Sequence, residues 1–129
     1  MSGERIAPKL TPADVVCSTR RIVVVEGDRH AAEMLHSFLR LMEIESSRVA
    51  PDEDPIPTIR RTGAEAVILD LDLPDLRALD LASRIECELP AVRVLFSTSK
   101  RRPAPGPVIR KPYVLEEMLR LTELVLNER

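Results

Sequence analysis

A doubly wound α/β domain, built on a five-stranded parallel sheet in the order 2-1-3-4-5, is predicted by three observations. Apolar runs without polar alternation, RIVVV at 21–25 and AVIL at 66–69, read as strands covered on both faces. Between such runs stand segments whose apolar residues recur at three- and four-residue steps, the period of a helix. Strand and helix then alternate along the chain, and right-handed crossovers turn that alternation into the stated strand order. Ligands collect outside the carboxyl ends of such strands, so Asp70, where AVIL runs into the acidic DLDLPD, is the first candidate for chemistry.

Residues 1–20 mix prolines, charges and small side chains without an apolar period and read as a flexible tail, leaving 21–129 as the domain. The strand 21–25 closes on Glu26, Gly27 and Asp28, a second acidic strand end. Asp28 is a natural N-cap for a helix whose face is Ala31, Met34, Leu35, Phe38, Leu39 and Met42. A short second strand is expected over 45–50. The prolines at 51, 55 and 57 and Gly63 then leave room for a helical turn or two around Thr58–Arg61. After the Asp70 strand, Leu79, Ala82, Ile85 and Leu89 give the next helix its face, and Pro90 ends it. Residues 92–96 form a fourth strand, followed by Ser97, Thr98, Ser99 and the basic run Lys100–Arg102. Val108 and Ile109 form a short fifth strand ending at Lys111-Pro112, where a cis peptide would aim the lysine inward. Residues 114–126 carry a terminal helix.

Composition removes several classes of function. At 129 residues the chain is one domain with a proper core. A formal net charge of -2 offers no basic field for nucleic acid, and no apolar run is long enough to cross a bilayer. Cys17 and Cys87 form no CxxC pair, so they read as unpaired thiols in a cytoplasmic protein. The aromatic content of 2% leaves Phe38, Phe96 and Tyr113, too few for base stacking. Met34, Met42 and Met118 read as core filler, and His30 and His36 as surface residues. Three basic residues in one loop, Lys100 to Arg102, read as a solvated run.

Four strand ends thus carry Glu26 with Asp28, Asp70, Ser97 with Thr98, and Lys111-Pro112 on one edge of the sheet. This pattern, over roughly 21–127, resembles the receiver domain of two-component response regulators, a flavodoxin-like fold. The resemblance implies a phosphoryl acceptor at Asp70, a Mg²⁺ site on Glu26 and Asp70 with Asp28 as a further candidate, and a phosphoryl-contacting hydroxyl and lysine at Ser97 and Lys111. The chemistry is coherent: Mg²⁺ neutralises phosphoryl oxygens through a few carboxylates, and a lysine ammonium holds the acceptor ionised. The resemblance also implies a histidine kinase or phosphotransfer protein and an output protein as partners.

Three departures modify that expectation. Gly27 stands where the family has the second acid of its pair, so Mg²⁺ binding is expected to be weak or absent. Only nine residues, 99–107, with prolines at 103, 105 and 107, replace the crossover helix between the fourth and fifth strands. That helix is expected to be missing or reduced to a turn, which leaves an apolar patch for a partner or a second copy of the chain. Val108 stands where many receivers carry a switching aromatic ring. The expected protein is a stand-alone, atypical receiver with no turnover beyond self-catalysed phosphoryl acceptance and hydrolysis. Its rival is a pseudo-receiver that works as an interaction module without phosphorylation. A nucleotide-binding enzyme or phosphatase is disfavoured, because no Gly-rich phosphate loop follows the first strand.

Overall fold

The structure, a computed structural model, describes residues 20–127. Its elements run β1 (Arg20–Val25), α1 (Arg29–Leu41), β2 (Ile44–Val49), α2 (Ile56–Thr62), β3 (Ala66–Asp70), α3 (Arg77–Glu88), β4 (Arg93–Thr98), β5 (Val108–Arg110) and α4 (Leu115–Asn127). All strand pairs are parallel, and the order is β2-β1-β3-β4-β5. The expected sheet is therefore the observed one. Among the described residues no helix is long and apolar enough to cross a membrane. The tail assigned to 1–20 and Cys17 lie, Arg20 apart, outside the described residues.

Side chains alternate across the sheet with the period of two that a strand imposes. Ile22, Val24, Ala66, Ile68, Leu95 and Ile109 face one core with Leu35 and Leu39 of α1 and Met118 of α4. Val23, Val25, Val67, Leu69 and Phe96 face the other, with Ile59 of α2 and Leu81 and Ile85 of α3. Burial on both faces is why these strands read as continuous apolar runs.

Several local expectations are corrected. β2 begins one residue earlier than predicted, at Ile44, and α2 begins at Ile56 because prolines are tolerated in a first helical turn. β4 extends through Ser97 and Thr98, which pair with Ile109 and Arg110 of β5. Met34 is not core filler: it is 46% exposed, since the buried line of α1 is Ala32, Leu35 and Leu39. The buried line of α3 is Ala78, Leu81 and Ile85, whereas the predicted Leu79 and Ala82 are half-covered. No helix lies between β4 and β5, in agreement with the proline count.

Candidate functional site

Strand register brings the acidic strand ends together. Val25 pairs with Leu69 and Asp70 with Ser97, so Glu26, Asp70 and Ser97 stand in one row across three neighbouring strands. Glu26 is wholly buried and Asp70 is 2% exposed. Lys111 follows the last strand through a cis Lys111–Pro112 peptide, and its Nζ donates to Glu26 Oε2 at 2.8 Å and to Asp70 Oδ1 at 3.0 Å. The sequence-predicted trio of Glu26, Asp70 and Lys111 is thus one hydrogen-bonded cluster.

The remaining oxygens of the pair are also occupied. Glu26 Oε1 accepts the Tyr113 hydroxyl at 2.9 Å, and Oε2 also accepts the Asp28 amide at 3.1 Å. Asp70 Oδ1 accepts the Asp72 amide at 2.8 Å, and Oδ2 accepts the Gly27 amide at 3.1 Å. Asp28 spends its own Oδ1 on the amides of His30 and Ala31, capping α1. Ser97 Oγ is buried beside the Tyr113 hydroxyl yet meets no partner in hydrogen-bond geometry. The neighbouring hydroxyl, Thr98 Oγ1, points to the opposite side of the strand and donates to Asp72 Oδ1 at 2.9 Å.

Asp72 is a third acid of the site that sequence reasoning passed over. Its Oδ2 accepts the Ser99 amide and hydroxyl at 2.9 and 2.8 Å and lies 3.4 Å from Lys111 Nζ. Arg102 is not simply solvated: its guanidinium donates to the Leu71 carbonyl at 2.7 Å and lies 3.9 Å from Asp72 Oδ1. Arg48, on the edge strand, donates to the Glu26 carbonyl at 2.8 Å. Tyr113 had one usable sequence signal. It is the chain's one tyrosine, and a buried tyrosine needs a partner for its hydroxyl.

These contacts divide the carboxyls. Burial pushes the Glu26 carboxyl up, and the neighbouring Asp70 adds to the rise. Burial also works upward on Asp70, but hydrogen bonds from Glu26, the Gly27 amide, Lys111 and the Asp72 amide hold it below the usual carboxylate range. For Asp72 the same burial is outweighed by Ser99, Thr98 and Lys111, which hold it at about 2. Burial and the adjacent Glu26 charge raise the Tyr113 hydroxyl. Desolvation works against the Lys111 ammonium, yet Glu26 and Asp70 keep it above the ordinary lysine value.

A Mg²⁺ ion keeps several waters and takes one or two carboxylates, for which Glu26 and Asp70 are the buried candidates here. Among the described residues no group of three His, Cys, Asp or Glu side chains is placed to hold a metal. Gly27 contributes no side chain, and a Cβ there would lie 3.0 Å from Leu73 Cδ2 and 3.5 Å from Asp70 Oδ2. A side chain at position 27 would press on the end of Leu73. The carboxylates left for a Mg²⁺ ion are Glu26 and Asp70, and Lys111 Nζ is bound to both.

No protein-family model matches the chain. Over 76 residues, 59% of the chain, it is 29% identical to the regulatory protein LuxO of Vibrio cholerae, and over 79 residues, 61% of the chain, it is 30% identical to the transcriptional regulatory protein TcrX of Mycobacterium tuberculosis. The matched regions span 17% and 34% of those proteins, so the likeness concerns a fraction of each. Among solved structures, a response regulator from Thermotoga maritima superposes with a TM-score of 0.75 at 18% identity, covering 85% of this chain and 99% of that one. The Vibrio cholerae chemotaxis protein CheY4 gives 0.72 at 15% identity, with 84% and 99% covered. A chain from the complex of histidine kinase ThkA with response regulator TrrA gives 0.71 at 20% identity, with 83% and 98% covered.

Proposed function

We propose, for a chain that has the receiver-domain fold of two-component response regulators, that it serves such signalling as a protein-interaction module whose acidic site is closed by its own Lys111 and Tyr113. Phosphorylation of Asp70 is not its switch. The observation that carries this reading is Gly27, which offers no side-chain oxygen and whose Cβ position lies 3.0 Å from Leu73 Cδ2. Lys111 and Tyr113 then satisfy the carboxylates that remain. The buried acid pair thus has its hydrogen bonds met from within the chain. The partners proposed are proteins of a two-component pathway: a histidine kinase, a phosphotransfer protein or an output protein. The response regulator TrrA, solved in complex with histidine kinase ThkA, is a precedent for the first. No turnover chemistry is assigned to the domain.

A second reading, with Asp70 as phosphoryl acceptor, is favoured by one contact, the 3.0 Å approach of Lys111 Nζ to Asp70 Oδ1. Intact-mass measurement separates the two. Incubated with Mg²⁺ and a small phosphoryl donor, the wild type and Asp70→Asn should both stay unmodified. Gly27→Asp needs only the end of the Leu73 side chain to give way, and it should bind Mg²⁺ and gain a phosphoryl group. Ion binding has its own readout, because the chain holds one tyrosine and no tryptophan, so near-ultraviolet emission reports on Tyr113 beside Glu26. A phosphoryl group on the wild type that Asp70→Asn abolishes would overturn the proposal and establish the second reading.

A further inference from the structure

The β4–β5 connection has no helix, and a groove of about 410 Å³ opens on the α3 face of the sheet beside it. Its floor is Val94 and Phe96, one wall is Leu79 and Ala82 of α3, the other is Pro105–Pro107, and Val92 lies at its foot. Val92, Val94, Leu79 and Ala82 are half-covered, so an apolar occupant would complete their burial. The charged residues of the lining are Glu86 and Arg93, one of each sign. The groove therefore suits apolar surface and favours neither an acidic nor a basic partner.

The foot of the groove lies close to where the described chain begins. Glu65 donates its amide to the Arg21 carbonyl, and Arg93 donates its own to the Glu65 carbonyl, which sets the starts of β1, β3 and β4 in one row. Two strand spacings, about 10 Å, thus separate the head of β1 from Arg93. The climb from Val92 to Phe96 takes about 13 Å more. Residues 1–19 precede the described chain, and the stretch from Leu10 to Arg20 can span up to about 35 Å. That length reaches the floor of the groove with a margin for passing the turn before β4. The chemistry also matches. Ile6, Leu10, Val15 and Val16 are apolar, and Glu4 and Asp14 balance Arg5 and Lys9, so the segment is as neutral as the lining.

We propose that residues 4–16 occupy the groove of their own molecule, with Leu10 against Val94, Phe96 and Ala82 and with Val16 at the foot. A tethered segment meets its site at an effective concentration of about millimolar, an advantage that no free partner of similar contacts has. The segment then stands where a crossover helix would, and a partner protein reaches this face only by displacing it. This arrangement goes beyond the function proposed above and does not depend on the state of Asp70.

Fluorescence of the full chain tests it. The chain has no tryptophan, so Leu10→Trp carries a single reporter. Its emission should lie well to the blue of a tryptophan in water. Adding Ala82→Lys, which puts a charged side chain on the half-covered wall, should return the emission to the water value while the circular dichroism stays unchanged. Urea unfolding of the natural segment gives a second readout. Leu10→Asp and Ala82→Lys should each lower the midpoint, and the double variant should lower it no further, because both break the same contact. Water-like emission from Leu10→Trp alone, blue emission that Ala82→Lys leaves in place, or midpoint losses that add would each overturn the proposal. Blue emission that fades on dilution, together with twice the monomer mass of 14.5 kDa in light scattering, would overturn it in favour of the segment of a second copy.

Discussion

Tyr113 donates to Glu26 across 87 positions of sequence, and only 5% of it is exposed. Tyr113→Phe keeps the ring and removes the donor, leaving Glu26 Oε1 buried without a partner. Hydrogen bonds to charged groups contribute about 1.5–3 kcal/mol, so a loss of that size is expected in urea unfolding. A loss under about 0.5 kcal/mol would show that water or Ser97 takes over the carboxylate. Glu26 and Asp70 were legible in the sequence because each directly follows an apolar run, and Lys111 because it precedes a proline just after a short one. The partner of Tyr113 was not legible, because it is set by where the turn after β5 brings the ring beside the end of β1 and by no local pattern. Ser97 was assigned from its place directly after the apolar run of β4. Its end was read at Phe96, whereas the strand runs on through Ser97, which pairs with Asp70 and Ile109, and Thr98, whose hydroxyl turns to Asp72.

The segment 99–107 shows how a connection without a helix holds its shape. Its prolines cannot donate, so its anchors are the Ser99 amide and hydroxyl on Asp72 and the Arg102 guanidinium on Leu71 O. Arg102→Ala should cost about 1–2 kcal/mol by loss of that bond and should speed amide exchange at Ser99 and Lys100. Lys100→Ala, on an exposed side chain, should stay within about 0.5 kcal/mol of the wild type. Equal effects of the two would mean that Arg102 is as solvated as its neighbours. Whole elements were easier to read than their facing. The order of strands and helices follows from apolar runs and punctuation, but the buried line of α3 moved to Ala78, Leu81 and Ile85. The layer that would have covered Leu79 and Ala82 is absent, and only the count of residues between β4 and β5 hinted at it.

Across the whole molecule, the acids of the site pull stability in opposite directions as pH changes. A carboxyl held below its unfolded value adds stability above that value and loses it as the pH falls through the folded one. Asp72, held at about 2 against an ordinary 3.8, therefore withdraws its contribution between about pH 4 and pH 2, and Asp70 shifts in the same direction. Glu26 behaves oppositely. Its carboxyl is raised above 4.5, so the folded state binds that proton more tightly and loses stability as the pH rises past this value. The acid limb should therefore be owed to Asp72 and Asp70. In urea unfolding between pH 7 and pH 2, Asp72→Asn should be less stable than the wild type at neutral pH, and the gap should close below about pH 3. Lys111 sharpens the effect, because its side chain is only 12% exposed and it is left as a buried cation once these acids are protonated. A gap that stays constant down to pH 2 would remove Asp72 from the acid limb and leave Asp70 to carry it, which Asp70→Asn in the same series would then show.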